Sequence, residues 1–105
     1  MKIGLVCCQG LSTKILSVKM RKAAIDKGVD VEVVAVGCRS LQDSHKLKKF
    51  DCILLGPQVN YLLEELEDLG DRRVPIGVID SADFGFMDGD AVLEQALNLI
   101  SSSSR

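Results

Sequence analysis

The 105-residue chain has no tryptophan, and aromatic residues make up only 4% of it. A core built from it must therefore rest on Val, Leu, Ile and Ala. It has no surplus of positive charge: 13 Lys and Arg stand against 15 Asp and Glu, a formal net charge of -2. That balance argues against a nucleic-acid partner or an anionic membrane held by charge. No apolar run approaches the ~18 residues of a spanning helix, and charge enters at Lys2, too early for a secretory signal. The chain reads as cytoplasmic, with no direct membrane insertion. There is one histidine, His45, in a polar stretch between Ser44 and Lys46, where a solvated surface position is the plain reading. The four cysteines include no C-x-x-C pair, which weakens a thioredoxin-like or zinc reading. Nothing marks an oxidising compartment, so free thiols are expected.

What is present is an alternation of short apolar runs and amphipathic stretches. Ile3 to Val6 reads as a buried strand with Cys7 at its carboxyl end. Ser12 is a good N-cap for a helix whose Leu16, Met20, Ala23 and Ala24 recur at helical spacing, and Gly28 closes it. Val29 to Val36 is β-branched and reads as a second strand. Leu41 to Phe50 suggests a short helix. Asp51 to Gly56 is a third strand, stopped by Pro57. Val59 to Leu69 sets Leu62, Leu63 and Leu66 against Glu64, Glu65, Glu67 and Asp68, an amphipathic helix. Pro75 to Ile79 is a fourth strand and Asp80 to Gly89 a loop. Asp88 can cap a last helix that buries Val92, Leu93, Ala96, Leu97 and Ile100. No internal repeat or linker is visible, so one domain over residues 1–101 with a frayed tail at 102–105 is expected.

Strands alternating with helices imply a parallel sheet with right-handed crossovers and helices on both faces. Four strands suggest a three-layer, flavodoxin-like α/β domain of order 2-1-3-4. Ligands in such sheets bind beyond the strands' carboxyl ends where the order reverses. That switch point brings Cys7 to Thr13 toward Gly56, Pro57 and Gln58. A strand-to-helix corner points backbone N–H groups into one concavity, and the helix dipole adds positive potential. The same setting stabilises a thiolate. Cys7, the cysteine that ends the strand and leads the loop, is the candidate nucleophile, expected to be reachable from solvent. The backbone from Cys8 through Gln9, Gly10 and Leu11 to Ser12 and Thr13 is the candidate phosphate cradle, with Gly10 easing the turn. The plain alternative is that Cys7 and Cys8 are small buried hydrophobes at a strand end.

Cysteine-dependent phosphatases place an Arg six residues after the nucleophile. Here that residue is Thr13, followed by Lys14. Without a bidentate guanidinium, the corner suits holding a thiophosphate better than hydrolysing it. A small phosphatase on the same topology is the alternative enzyme class. A redox or binding module using the vicinal thiols is the alternative non-enzyme class.

The stretches MKIGLVCCQGLSTKIL, FDCILLGPQVNYLLEEL, VPIGVIDSADFGFMDG and AVLEQALNLI resemble the enzyme IIB component, lactose/cellobiose (chitobiose) class, of the bacterial phosphoenolpyruvate-dependent sugar phosphotransferase system. The resemblance runs over essentially the whole chain. It implies a phosphotransferase that takes a phosphoryl group from a phosphohistidine IIA protein onto Cys7. It then passes that group to a cellobiose-, chitobiose- or lactose-type sugar in the IIC membrane permease. The family's Cys, Gly and Ser-Thr positions fall on Cys7, Gly10, Ser12 and Thr13. Its Gly-Pro-Gln-Val and Gly-x-Met-Asp-Gly stretches fall on Gly56 to Val59 and Gly85 to Gly89. The chain departs from the family at Cys8, Gln9, Leu11 and Lys14. No metal or organic cofactor is implied.

Other candidates have plainer roles. Leu11, Pro57, Gln58, Tyr61, Phe84 and Met87 suggest a rim for docking the IIA and IIC partners. Asp51 starts the third strand, the wrong end for a receiver's phosphate acceptor. Asp80 and Asp83 suit loop or cap roles, and Cys38 and Cys52 are expected to be buried or inert.

Overall fold

The computed structural model describes residues 1–7, 10–38, 44–70 and 73–103. Its sheet contains strands β1 (Lys2–Cys7), β2 (Glu32–Gly37), β3 (Cys52–Leu55) and β4 (Ile76–Val78). All pairings are parallel and the order is β2-β1-β3-β4. Side chains alternate across a strand, and that alternation builds two cores. Ile3, Leu5, Val33, Cys52 and Leu54 face one side. There they meet Leu16, Met20, Ala23 and Ala24 of α1 (Gly10–Lys27) and Val92, Leu93 and Ala96 of α5 (Gly89–Ser103). Val6, Ile53, Leu55 and Ile76 face the other. They meet Leu47 of α2 (Ser44–Leu47), Val59 of the 3-10 turn Pro57–Leu62, and Leu66 of α3 (Leu63–Leu69). The expected three-layer architecture is therefore present. Its core is almost wholly aliphatic, and each fully buried Leu or Ile contributes roughly 1.5–3 kcal/mol by leaving water.

Several boundaries differ from the sequence reading. The first helix starts at Gly10, so Ser12 lies inside its first turn and does not cap it from outside. The cause is the buried stripe: Thr13 is 1% and Ser17 2% exposed, so the inward face continues back past the first aliphatic residue. Ser17 is satisfied there, its Oγ donating to the Lys14 carbonyl at 2.7 Å. Arg21 donates to Ser17 Oγ and to the Val33 carbonyl, both at 3.3 Å, fastening the helix to β2. The stretch from Asp80 to Gly89 is not all loop. It contains a short helix, α4 (Ser81–Gly85), because Asp80 Oδ1 accepts from the amides of Ala82 at 2.9 Å and Asp83 at 3.4 Å. Asp88 caps α5 as expected, accepting from the Ala91 amide at 3.1 Å. That helix runs to Ser103, past the expected tail boundary; residues 104 and 105 lie outside the described ones. So do 41–43, the first part of the helix expected from Leu41. The Lys27 ammonium pairs with the Glu94 carboxylate, joining α1 to α5.

Two glycines are required for different reasons. Gly28 has φ 70° and ends α1 in a Schellman motif, with Val29 N–H donating to the Ala24 carbonyl at 2.9 Å and Gly28 N–H to that of Ile25 at 3.1 Å. A Cβ there would meet nothing within 4 Å. At Gly89 a Cβ would lie 2.6 Å from the carbonyl carbon of Lys19, so the start of α5 seats directly on the backbone of α1. We predict that Gly28→Ala costs about 1 kcal/mol through backbone conformation alone. Gly89→Ala should cost more, in the range of about 1–3 kcal/mol or above, because two helix backbones must separate. Denaturant unfolding of both variants checks the ranking, and an equal or reversed order would refute the close-approach explanation.

Candidate functional site: a cysteine at the end of the inner strand

Strand β1 is flanked on both sides, by β2 and by β3. Its carboxyl end is thus an inner position of the sheet, at the point where the strand order reverses. Cys7 occupies that end, in register with Gly37, and is a free thiol. It is only 6% exposed, whereas the sequence reading expects a reachable thiol. The inner position of β1 is the physical reason: its last residue is still part of the ladder with β2.

The start of α1 faces this end of the sheet after a connection of two residues. A helix start leaves several backbone N–H groups without intrahelical acceptors and carries partial positive charge. Ser12 is half-buried and Thr13 buried in that first turn. The cradle positions Cys8 and Gln9 lie outside the described residues, as do the side chains of Gly10 and Leu11. From the other side of the switch point, the Gly56 amide donates to the Val6 carbonyl at 2.9 Å. A Cβ on Gly56 would come within 3.1 Å of Gln58 Oε1 and 3.5 Å of the Val6 carbonyl oxygen. The Gly-Pro-Gln stretch therefore closes onto β1 one residue before Cys7, as the topology predicts. No guanidinium serves the corner from within the first helix turns: Thr13 takes the place an Arg would need, and Arg21 is engaged with Ser17 and β2.

Of the residues expected on a docking rim, only some lie at the surface. Gln58 and Tyr61 are exposed, Tyr61 at 68%, and Pro57 is half-buried. Phe84 is not on a rim. It is buried in the α1/α5 core, because the Asp80 cap starts a helix that turns it inward. Met87 is half-buried against the same core, in a turn with φ 52°. Sequence reading missed Phe86, which is 84% exposed, and the outward pair Ile15 and Val18 on α1. Their i, i+3 spacing opposite Leu16 and Met20 was the available signal. The Gly85–Gly89 stretch is explained by the turn and by the seating of Gly89 on α1.

The other candidates fall away from the corner. Asp51 Oδ2 accepts from the Lys2 amide at 2.7 Å, at the opposite end of the sheet. Asp80 is a helix cap, and His45 is exposed. Cys52 is a buried free thiol, pushed up to about 12 by burial and by the neighbouring Asp51 carboxylate. Its expected inertness is consistent with that. Cys38 departs from expectation, since it is disulfide-bonded and half-buried.

An all-parallel sheet of this order, with a free cysteine ending its inner strand beside a helix start, defines the class: a small flavodoxin-like α/β domain with a thiol at its switch point. The chain belongs to the lactose/cellobiose-specific IIB subunit family of the phosphotransferase system, whose model matches residues 2–95. It is 39% identical over 102 residues to the oligo-beta-mannoside-specific EIIB component of Bacillus subtilis (strain 168), covering 94% of this chain and 95% of that one. The solution structure of the cellobiose-specific IIB component protein of Borrelia burgdorferi superposes with a TM-score of 0.77 at 33% identity, covering 99% and 94% of the two chains. The lactose-specific IIB component domain of Streptococcus pneumoniae, at 17% identity, has the same fold, with a TM-score of 0.81 over 93% and 95% of the chains. The protein is thus a component of the sugar phosphotransferase system. Among the described residues, no helix is long and apolar enough to cross a membrane.

The buried Cys52 gives a pH prediction. Its thiol is pushed up from an ordinary 9.0 to about 12, so the folded state binds this proton more tightly than the unfolded chain. The associated stability is fully present below pH 9.0 and is lost progressively as pH rises toward 12. Cys52→Ala should flatten that part of the stability curve. An unchanged slope, measured by urea unfolding across the alkaline range, would show that another group carries it.

Proposed function

We propose that Cys7 is the phosphoryl carrier of this IIB component. The thiolate Sγ attacks the phosphorus of a phosphohistidine on a IIA protein. The S–P bond forms, the P–N bond breaks, and the electron pair returns to the imidazole nitrogen. In the second step a hydroxyl oxygen of a cellobiose-, chitobiose- or lactose-type sugar, bound by the IIC permease, attacks the same phosphorus. The S–P bond breaks, the thiolate leaves, and the hydroxyl proton is released. Backbone N–H groups of the loop after Cys7 and of the first turn of α1, with the Ser12 and Thr13 hydroxyls, stabilise the charge on the transferring group. This is catalysis by positioning and electrostatics. The chain acts as one carrier domain at the cytoplasmic face of the membrane.

One observation carries this reading: in a family of sugar phosphotransferase subunits, the free thiol ends the inner strand at the switch point, beside a helix start. Two features support a carrier over a hydrolase. The sixth residue after Cys7 is Thr13, not Arg, and Cys7 is 6% exposed, which screens a thiophosphate from water.

Incubation with a phosphorylated IIA domain, followed by mass mapping of the acid-labile phosphate, tests the assignment. Cys7→Ser should lose the label, whereas Cys8→Ser and Cys52→Ala should keep it. Label on Cys8, or rapid hydrolysis of an aryl phosphate by the wild-type chain, would overturn the reading.

A further inference from the structure

Gly56 has φ -60° and ψ 152°, extended backbone that any residue adopts. Its conformation does not require glycine, so the missing Cβ is a matter of space. A Cβ there would lie 3.1 Å from Gln58 Oε1, 3.5 Å from the Val6 carbonyl oxygen and 3.6 Å from the Phe84 ring. The last two are ordinary van der Waals distances. The first is tight. The room left by the glycine is taken by the Gln58 carboxamide, folded back over the end of β3.

Side-chain alternation places that carboxamide relative to Cys7. On β1, Ile3 and Leu5 face the α1/α5 core and Val6 faces the other one. Cys7, next along the same strand, therefore faces the α1/α5 side. On β3, Cys52 and Leu54 face that side, and Ile53 and Leu55 the other. Gly56 continues the extended path, its N–H donating to the Val6 carbonyl at 2.9 Å. Its Cβ direction is thus on the Cys7 side, and the approach of Phe84, a member of the α1/α5 core, agrees. Gln58 belongs to a turn whose Val59 packs in the opposite core. Its side chain therefore crosses the end of the sheet to the face that carries the thiol. Gln58 Oε1 and the Val6 carbonyl oxygen both lie within 3.5 Å of one point, and that carbonyl is one peptide bond before Cys7. The backbone beneath is fixed. Pro57 restricts one side. On the other, Val59 is 1% exposed and its N–H donates to the Gly56 carbonyl at 3.0 Å.

We propose that Gln58 is a phosphoryl-binding residue, its Nε2 donating to a non-bridging oxygen of the group carried on Cys7. This rests on the carrier reading given above. A carboxamide brings two N–H donors and no charge. It reaches the group from the β3 flank of β1, and the first turn of α1 supplies the rest of the cradle. One neutral donor replaces part of a charged guanidinium fork, which suits a group that must leave again.

The test follows single-turnover labelling of full-length chains by a phosphorylated IIA domain. Gln58 is exposed, so replacing it spares the core. At saturating donor, Gln58→Leu should label Cys7 at least about tenfold more slowly than the wild type. Gln58→Glu keeps the shape but turns an acceptor toward the phosphoryl oxygens, and should be slower still. Gly56→Ala, which pushes the carboxamide aside and leaves Gln58 in the chain, should also be slowed. On phosphorylation of the wild type, the NMR signal of the Gln58 side-chain amide, identified by its loss in Gln58→Leu, should shift. A Gln58→Leu chain with the wild-type rate at saturation and only a weaker affinity for the donor makes Gln58 a docking contact and overturns the proposal. A wild-type rate in Gly56→Ala, or an unmoved amide signal, overturns it too. A wild-type chain that takes no label on Cys7 refutes instead the carrier reading beneath it.

Discussion

The hydrogen-bonded ladder on both sides of β1 is the constraint from which the rest of the molecule is arranged. One crossover leaves β1 to place β2 on one flank, and the chain then returns to place β3 on the other. The connections diverge at the carboxyl end of β1, and the space between them is where the chain can present chemistry. Val6 is paired on both flanks and Cys7 with Gly37 of β2, so the position of the thiol is set by the sheet more than by its loop. The same support that fixes Cys7 also covers it, and the low exposure of the thiol and its fixed location have one origin.

Support for that ladder comes from two thin aliphatic layers, and the scarcity of aromatic residues is part of how they work. Helices packed through Leu, Ile, Val and Ala can approach closely, and Gly89 lets α5 rest on the backbone of α1. On the opposite face Phe50 lies against Gly4, where a Cβ would fall 3.1 Å from its ring. Its ring also receives the Lys2 ammonium at 5.2 Å. The large ring is accommodated because the strand is narrowed to a glycine beneath it. The pattern Ile3, Gly4, Leu5, Val6 is thus one aliphatic face and one face cut away for a single aromatic.

The strand order and both layers were legible because each strand is a compact aliphatic or β-branched run and each long helix repeats its buried residues at three- and four-residue steps. What the sequence does not disclose has a common cause: local polarity does not report exposure. Thr13 and Ser17 are polar residues on an inward face, so α1 begins earlier than its aliphatic stripe suggests. Phe84 lies in a stretch rich in Asp and Gly that reads as a loop. Yet the Asp80 carboxylate caps a helix there and turns the ring into the core. Cys38 gives no local sign in its sequence surroundings of the disulfide it forms. At the site itself, the nucleophile's location was readable from where the apolar run stops. Its burial was not, since exposure at a strand end depends on which neighbours flank it.

The burial of Cys7 and the Thr at the sixth position after it, where a phosphatase has Arg, bear on the same question, the fate of a phosphoryl group on sulfur. A hydrolase must admit water in line with the S–P bond and must stabilise the charge that develops as water attacks. An Arg fork does the second task in two hydrogen bonds of fixed geometry. Under the proposed role, the first turn of α1 would supply backbone N–H groups and the Ser12 and Thr13 hydroxyls for that charge. With the sulfur nearly covered, water has little access to the line of attack. Under the carrier role proposed for Cys7, an acceptor hydroxyl delivered by a docked partner would displace the covering groups as it arrives, and specificity for sugar over water would reside in the interface that uncovers the sulfur. That is consistent with IIB proteins named for cellobiose and for lactose sharing this fold.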